Sequence, residues 1–172
     1  PSTAPGVGPA WEKTGVPVPG AARKGEDTMQ EHGLKISELV TLFNLEVLNR
    51  GSDYDTALLT ITDVNRPGLQ FHSFYDYFDP RRLQVLGKAE ITYLKGLTTE
   101  QRRKCFDDLF LYDIPALVIS RGLDCFPECL ESARVHERTL LRTEETTVEF
   151  TSHTIEYLNR VLAPCVTRHG VL

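Results

Sequence analysis

The sequence predicts an α/β fold: a mostly parallel β-sheet flanked by helices, preceded by a disordered N-terminal extension. Three observations carry this. Strand-like and helix-like segments alternate along the chain from Leu34 onward, the pattern that βα units produce. The run Pro115 to Ser120 is short and fully apolar at its centre, as expected of a strand buried on both faces of a parallel sheet. Helix-start signals recur at Thr98, Pro127 and Thr146 or Thr147, each ahead of an apolar periodicity.

The elements follow in order. The first 33 residues hold five of the ten prolines and six of the twelve glycines, without apolar periodicity. Such a segment buries too little to offset its ordering entropy, so 1–33 reads as disordered. Met29 is the only methionine, and a natural start there, after an added or mis-assigned leader, is one reading. Ser37 then caps a short helix with Leu39, Val40 and Phe43 on its inner face. Leu45 to Leu48 is a strand closed by the Asn49-Arg50-Gly51 turn, and Ala57 to Ile61 is a second short strand. After the Arg66-Pro67-Gly68 corner come five aromatics in eight residues (Phe71, Phe74, Tyr75, Tyr77, Phe78), read as a helical turn. Arg82 to Leu86 is a strand ending at Gly87. Thr98 with Gln101 makes a capping box for a helix whose inner face is Phe106, Leu109 and Phe110. Pro127 opens a helix to about His136, and Leu140-Leu141 marks a further strand. The longest helix carries Val148, Ile155, Leu158 and Leu162 on one side and is stopped by Pro164.

Composition narrows the function. With 172 residues, one main domain is expected, of which 34–164 is the folded part. A net charge of -5, and no basic run beyond Arg102-Arg103-Lys104, argue against nucleic acid as a partner; the triplet reads as the solvated face of a helix. No apolar run approaches a membrane span, and no secretory pattern opens the chain, so a cytoplasmic protein is expected. Cys105, Cys125, Cys129 and Cys165 include no C-x-x-C, and the five histidines show no ligand spacing, so reduced thiols and no metal site are expected. A P-loop, a dinucleotide fingerprint and a nucleophile elbow are absent from the sequence. The adjacent acids Asp107-Asp108 and Glu144-Glu145 read as solvated charge.

Two places stand out. Ser120-Arg121-Gly122 follows the apolar strand, and ligands of open α/β sheets bind outside the carboxyl ends of strands, where Arg121 and Gly122 are placed to hold an anion. Alternatively, Arg121 satisfies a carboxylate or the next helix. In Asn65-Arg66-Pro67-Gly68, the proline extends Arg66 and projects its side chain; the alternative is a structural corner with Arg66 paired to Asp63 or Asp76.

The same residues carry a resemblance. Asn44-Leu-Glu-Val-Leu48, Asp63-Val-Asn-Arg-Pro-Gly-Leu69, Tyr75-Asp-Tyr-Phe78, Arg82-Leu-Gln-Val-Leu-Gly-Lys88, Asp113-Ile-Pro115, Ser120-Arg-Gly-Leu123, Leu140-Leu-Arg-Thr143 and His169-Gly-Val-Leu172 occur in that order. From Leu34 to Leu172 the chain resembles the N-terminal domain of bacterial HPr kinase/phosphorylase. Glu137-Arg138 stand where a Gly-Ile-Pro-like turn is commoner, and His72-Ser73 replace small residues. The resemblance implies a fold similar to the Mur ligase substrate domain. It implies a hexameric enzyme that phosphorylates a serine of the phosphocarrier HPr with ATP or pyrophosphate and Mg²⁺, and reverses this by phosphorolysis. It places the chemistry in a C-terminal P-loop domain, of which 165–172 are the linker and first residues, and puts His169 beside the phosphate site. On that reading this chain holds no cofactor and is inactive by itself. A stand-alone sensor of anions or nucleotide-sugars on the same fold is a second expectation. A purely structural role is a third, with Phe71, Phe74 and Tyr77 packing into the core or against a neighbour.

Overall fold

The structure is a computed structural model, and it describes residues 32–163. The extension before residue 32, with Met29, and the segment from Pro164 onward, with Cys165 and His169, lie outside the described residues.

The described residues form seven strands and five α-helices. They are β1 (Leu34–Lys35), α1 (Ile36–Phe43), β2 (Glu46–Asn49), β3 (Leu58–Leu59), β4 (Val64–Asn65), β5 (Leu83–Leu86), α2 (Lys88–Lys95), α3 (Thr99–Phe110), β6 (Leu117–Ile119), α4 (Pro127–His136), β7 (Leu140–Arg142) and α5 (Thr147–Val161). The main sheet runs β2-β7-β6-β5-β4. Strands β4 to β7 are mutually parallel, and β2 is an antiparallel edge with a register shift between Val47 and Asn49. The mostly parallel α/β sheet expected from the sequence is therefore present. β1 and β3 form a separate antiparallel pair, so the segment Ala57 to Ile61 does not join the main sheet.

Alternation along the central strands sends side chains into two cores. Leu83, Val85, Ala116, Val118 and Leu141 face Ile36 and Leu39 of α1 and Phe150, Tyr157, Leu158 and Val161 of α5. Leu86, Leu117, Ile119 and Leu140 face Ile91, Leu94, Phe106, Leu109, Phe110 and Cys129 from α2, α3 and α4. Both faces are covered, which explains why β5 and β6 are buried throughout. No helix among the described residues is long and apolar enough to cross a membrane.

Several local expectations change. α1 starts one residue before Ser37, because Glu38 Oε1 accepts the Lys35 amide and caps the turn from inside. α2 was not expected at all. On α5 the buried face is Thr147, Phe150, Thr154, Tyr157, Leu158 and Val161, while Val148 is 71% exposed. Arg103 and Lys104 make exposed pairs with Glu131 and Asp108, as a solvated face should. Arg102 does not: with 14% of its side chain exposed, it reaches from α3 to α2 and α4. Cys105, Cys125 and Cys129 are free thiols; burial raises the pKa of Cys105 and of Cys129.

Candidate functional site

The carboxyl ends of β4, β5, β6 and β7 lie along one edge of the sheet, and the residues following each strand line it. After β4 comes Asn65-Arg66-Pro67-Gly68. Asn65 Nδ2 donates to Gln84 Oε1 at 2.7 Å and to Gln70 Oε1 at 3.1 Å. Both glutamines are buried, so this amide bridge pins the corner to β5. The chain then turns through a short 3-10 helix, Gln70–His72, with Phe71 N donating to Pro67 O at 3.1 Å. Phe71 drops into the core and packs edge-on to Phe106. Phe74 and Tyr77 point outward, 44% and 97% exposed. Of the three aromatics, only Phe71 serves the core. Tyr75 stacks on Tyr112, and Phe78 meets Tyr112 edge-on. Asp79 closes the loop through a two-pronged pair with Arg81, whose hydrogen bonds hold the Asp79 carboxyl down to about 2.

Arg66 pairs with neither Asp63 nor Asp76. Its Nη2 donates to Glu90 Oε1 at 2.9 Å, 24 residues on, while Asp63 pairs with Arg82. The same Glu90 oxygen accepts the Gly87 amide at 2.7 Å and so caps α2. Gly87 is needed for close approach: a Cβ there would lie 2.5 Å from Thr147 Oγ1 and 2.6 Å from Arg66 Nη2. Thr147 in turn shares a 2.7 Å hydrogen bond with Ser120 Oγ, which also donates to Leu86 O. Arg66, Gly87, Glu90, Ser120 and Thr147 therefore form one continuous contact along the edge.

Arg121 and Gly122 both take left-handed backbone, each with φ 61°. The Arg121 amide donates to Glu145 O and the Gly122 amide to Thr143 O, each at 2.8 Å. Glu144 Oε1 lies 2.6 Å from where a Gly122 Cβ would stand. The Arg121 side chain is exposed and makes no ion pair among the described residues. Glu90 and Thr147 escaped the sequence reading, because Glu90 is an ordinary first-turn acid of an unexpected helix and Thr147 reads only as a cap.

The edge also contains a groove of about 420 Å³ between the Arg66-Pro67-Gly68 corner and α2. Arg66 and Glu90 form one wall, Leu69 and His72 the rim, and Ala89 and Tyr93 the helix side. A triphosphate–magnesium cradle does not fit these residues. The amide of Gly87, the glycine of Gly87-Lys88, is already committed to Glu90, and no group of three or more His, Cys, Asp or Glu converges among the described residues.

Comparison with known proteins agrees with the motif order. The profile of the family described as HPr Serine kinase N terminus matches residues 34–158. HPr kinase/phosphorylase of Alkaliphilus metalliredigens is 41% identical over 139 residues, 81% of this chain and 45% of that protein. HPr kinase/phosphorylase of Clostridium tetani is 41% identical over 140 residues, again 81% and 45%. The chain thus spans about half the length of these relatives. Among solved structures, the CBS and DRTGG domains of the regulatory region of Clostridium perfringens pyrophosphatase, complexed with diadenosine tetraphosphate, superpose with a TM-score of 0.53. They share 12% identity over 77% of this chain and 51% of that one, a likeness of fold alone. With its profile match running from β1 into α5, this chain belongs to the HPr serine kinase N-terminal family.

Proposed function

We propose that this chain is the N-terminal, non-catalytic domain of a bifunctional HPr serine kinase/phosphorylase acting in the control of carbon metabolism. The observation that carries this is family membership over 34–158, joined to relatives named HPr kinase/phosphorylase of which the chain spans 45%. Phosphoryl transfer needs backbone amides, a lysine and a metal converging on the moving phosphate. That chemistry is assigned to the part of the relatives that this chain does not span. ATP or pyrophosphate, Mg²⁺ and the HPr substrate then belong to that part, with His169 as its neighbour. The role left to this domain is structural and regulatory within a cytoplasmic homo-hexamer. The codons that follow Leu172 are the direct check. A G-x-x-x-x-G-K-[ST] loop within a few tens of residues is expected, and its absence would remove the reading.

A further inference from the structure

The groove beside Arg66 has features that the fold itself does not require. Arg66 stands at its wall with 44% of its side chain exposed, held by one nitrogen to Glu90. The rest of the guanidinium fork has no described partner, and a fork of this kind matches phosphate or carboxylate geometry. Glu90 spends its Oε1 on Arg66 and on the Gly87 amide together, which fixes the fork at the start of α2. Ala89 and Glu90, in the first turn of α2, line the groove beside Arg66.

A second, apolar half adjoins this anion-facing wall. The His72 ring lies over Tyr93 with centroids 4.5 Å apart and planes tilted 31°. Its Nδ1 is anchored 3.1 Å from Gly68 O, so the ring is held in place at the mouth. Leu69 stands next to it, 62% exposed, an apolar side chain open to solvent. A fixed aromatic surface beside an exposed aliphatic one suits the face of a flat ring. The volume of about 420 Å³ falls within the range of roughly 300–1,000 Å³ usual for small-molecule sites.

We propose that this groove binds a small phosphorylated molecule carrying a planar ring, of the mononucleotide class. The phosphate sits against Arg66 and the start of α2, and the ring sits against His72 and Leu69. The proposal is independent of the kinase reading above, since no phosphoryl transfer is involved.

The probe is adenosine 5′-monophosphate, titrated into the isotope-labelled 172-residue chain and followed by amide chemical shifts. Adenosine and ribose 5-phosphate are the ring-only and phosphate-only arms. Saturable shifts are expected at Gly68, His72, Ala89 and Tyr93, with each half-molecule binding about tenfold more weakly or worse. Arg66→Gln should weaken the nucleotide about tenfold and leave adenosine unchanged. His72→Ala, at an exposed site that leaves the core intact, should weaken the nucleotide and leave ribose 5-phosphate unchanged. Arg66→Lys keeps a cation beside Glu90 and guards against misreading a folding defect. No saturable shift up to about 10 mM, shifts mapping away from the groove, or ribose 5-phosphate binding as tightly as the nucleotide would each overturn the proposal.

Discussion

Arg102→Ala should be among the most damaging single substitutions in the chain, although a basic residue inside an Arg-Arg-Lys run reads as surface. Arg102 stands on α3 with 14% of its side chain exposed. Its Nη1 donates to Leu94 O at 2.9 Å, a last-turn carbonyl of α2 that also accepts the Leu97 amide, and to Leu97 O at 3.0 Å just beyond the helix. Its Nε donates to Glu128 Oε1 at 3.0 Å in the first turn of α4, and its guanidinium lies 4.7 Å from the Phe126 ring centroid. One side chain therefore ties three helices together. Hydrogen bonds from a charged donor contribute about 1.5–3 kcal/mol each, but bonds sharing one group do not add. Removing one member of a buried pair costs about 3–5 kcal/mol, because the other charge stays buried and unpaired. Glu128, 10% exposed, would be left in that position. A loss of about 3–5 kcal/mol is expected, or a fall in Tm of roughly 10–15 °C for a domain of this size.

Urea denaturation followed by circular dichroism measures this, with Arg103→Ala as the internal control. Arg103 is 43% exposed and pairs with Glu131 at the surface, so its removal should cost less than about 1 kcal/mol. The pH dependence adds a second reading. The hydrogen bond from Arg102 holds the Glu128 carboxyl below its usual value of 4.5. A depressed folded-state pKa gives stability that is present above the unfolded value and lost as pH falls through the folded one. The gap between parent and Arg102→Ala should therefore narrow as pH drops below 4.5. Equal stability of Arg102→Ala and Arg103→Ala at neutral pH would refute the reasoning.

Gly87→Ala should cost about 1–3 kcal/mol in urea denaturation, because the new methyl meets Thr147 Oγ1 at 2.5 Å and Arg66 Nη2 at 2.6 Å. Glu137 caps α4 in left-handed backbone at φ 58°, so Glu137→Gly should stabilise by about 0.5–1 kcal/mol, read as a raised urea midpoint. Tyr77 is 97% exposed, and Tyr77→Ser should leave the thermal midpoint within the scatter of a surface change of about 0.5 kcal/mol.

Where a signal was local and carried by a side chain, the sequence displayed it. The capping boxes at Thr98 and Thr146 form in both directions, with Gln101 and Glu149 answering the caps. Pro127 opens α4 at its first helical position, and the Leu-Val-Ile centre of β6 is buried on both faces. α2 stayed hidden because glycine caps it and only Ile91 and Leu94 mark its inner face besides Glu90. The buried face of α5 was misread because Thr147, Thr154 and Tyr157 sit among its core residues, while Val148 faces solvent. β4 spans two residues, too few for any period-2 pattern. At the site, Arg66 was legible as a projecting arginine, but its partner is 24 residues away on the helix that gave no signal. Glu137 and Ser73 both occupy left-handed backbone, at φ 58° and 67°, a conformation that glycine adopts without strain.

Phosphoryl transfer to HPr, followed with labelled ATP and Mg²⁺, tests most directly whether this domain is the non-catalytic part of an HPr kinase/phosphorylase. The 172-residue chain and the protein expressed from the same gene through its codons beyond Leu172 are assayed side by side. Label should appear on HPr with the longer protein and stay at the no-enzyme control with the chain alone. Label transferred by the chain alone, or none transferred by the longer protein, would contradict it.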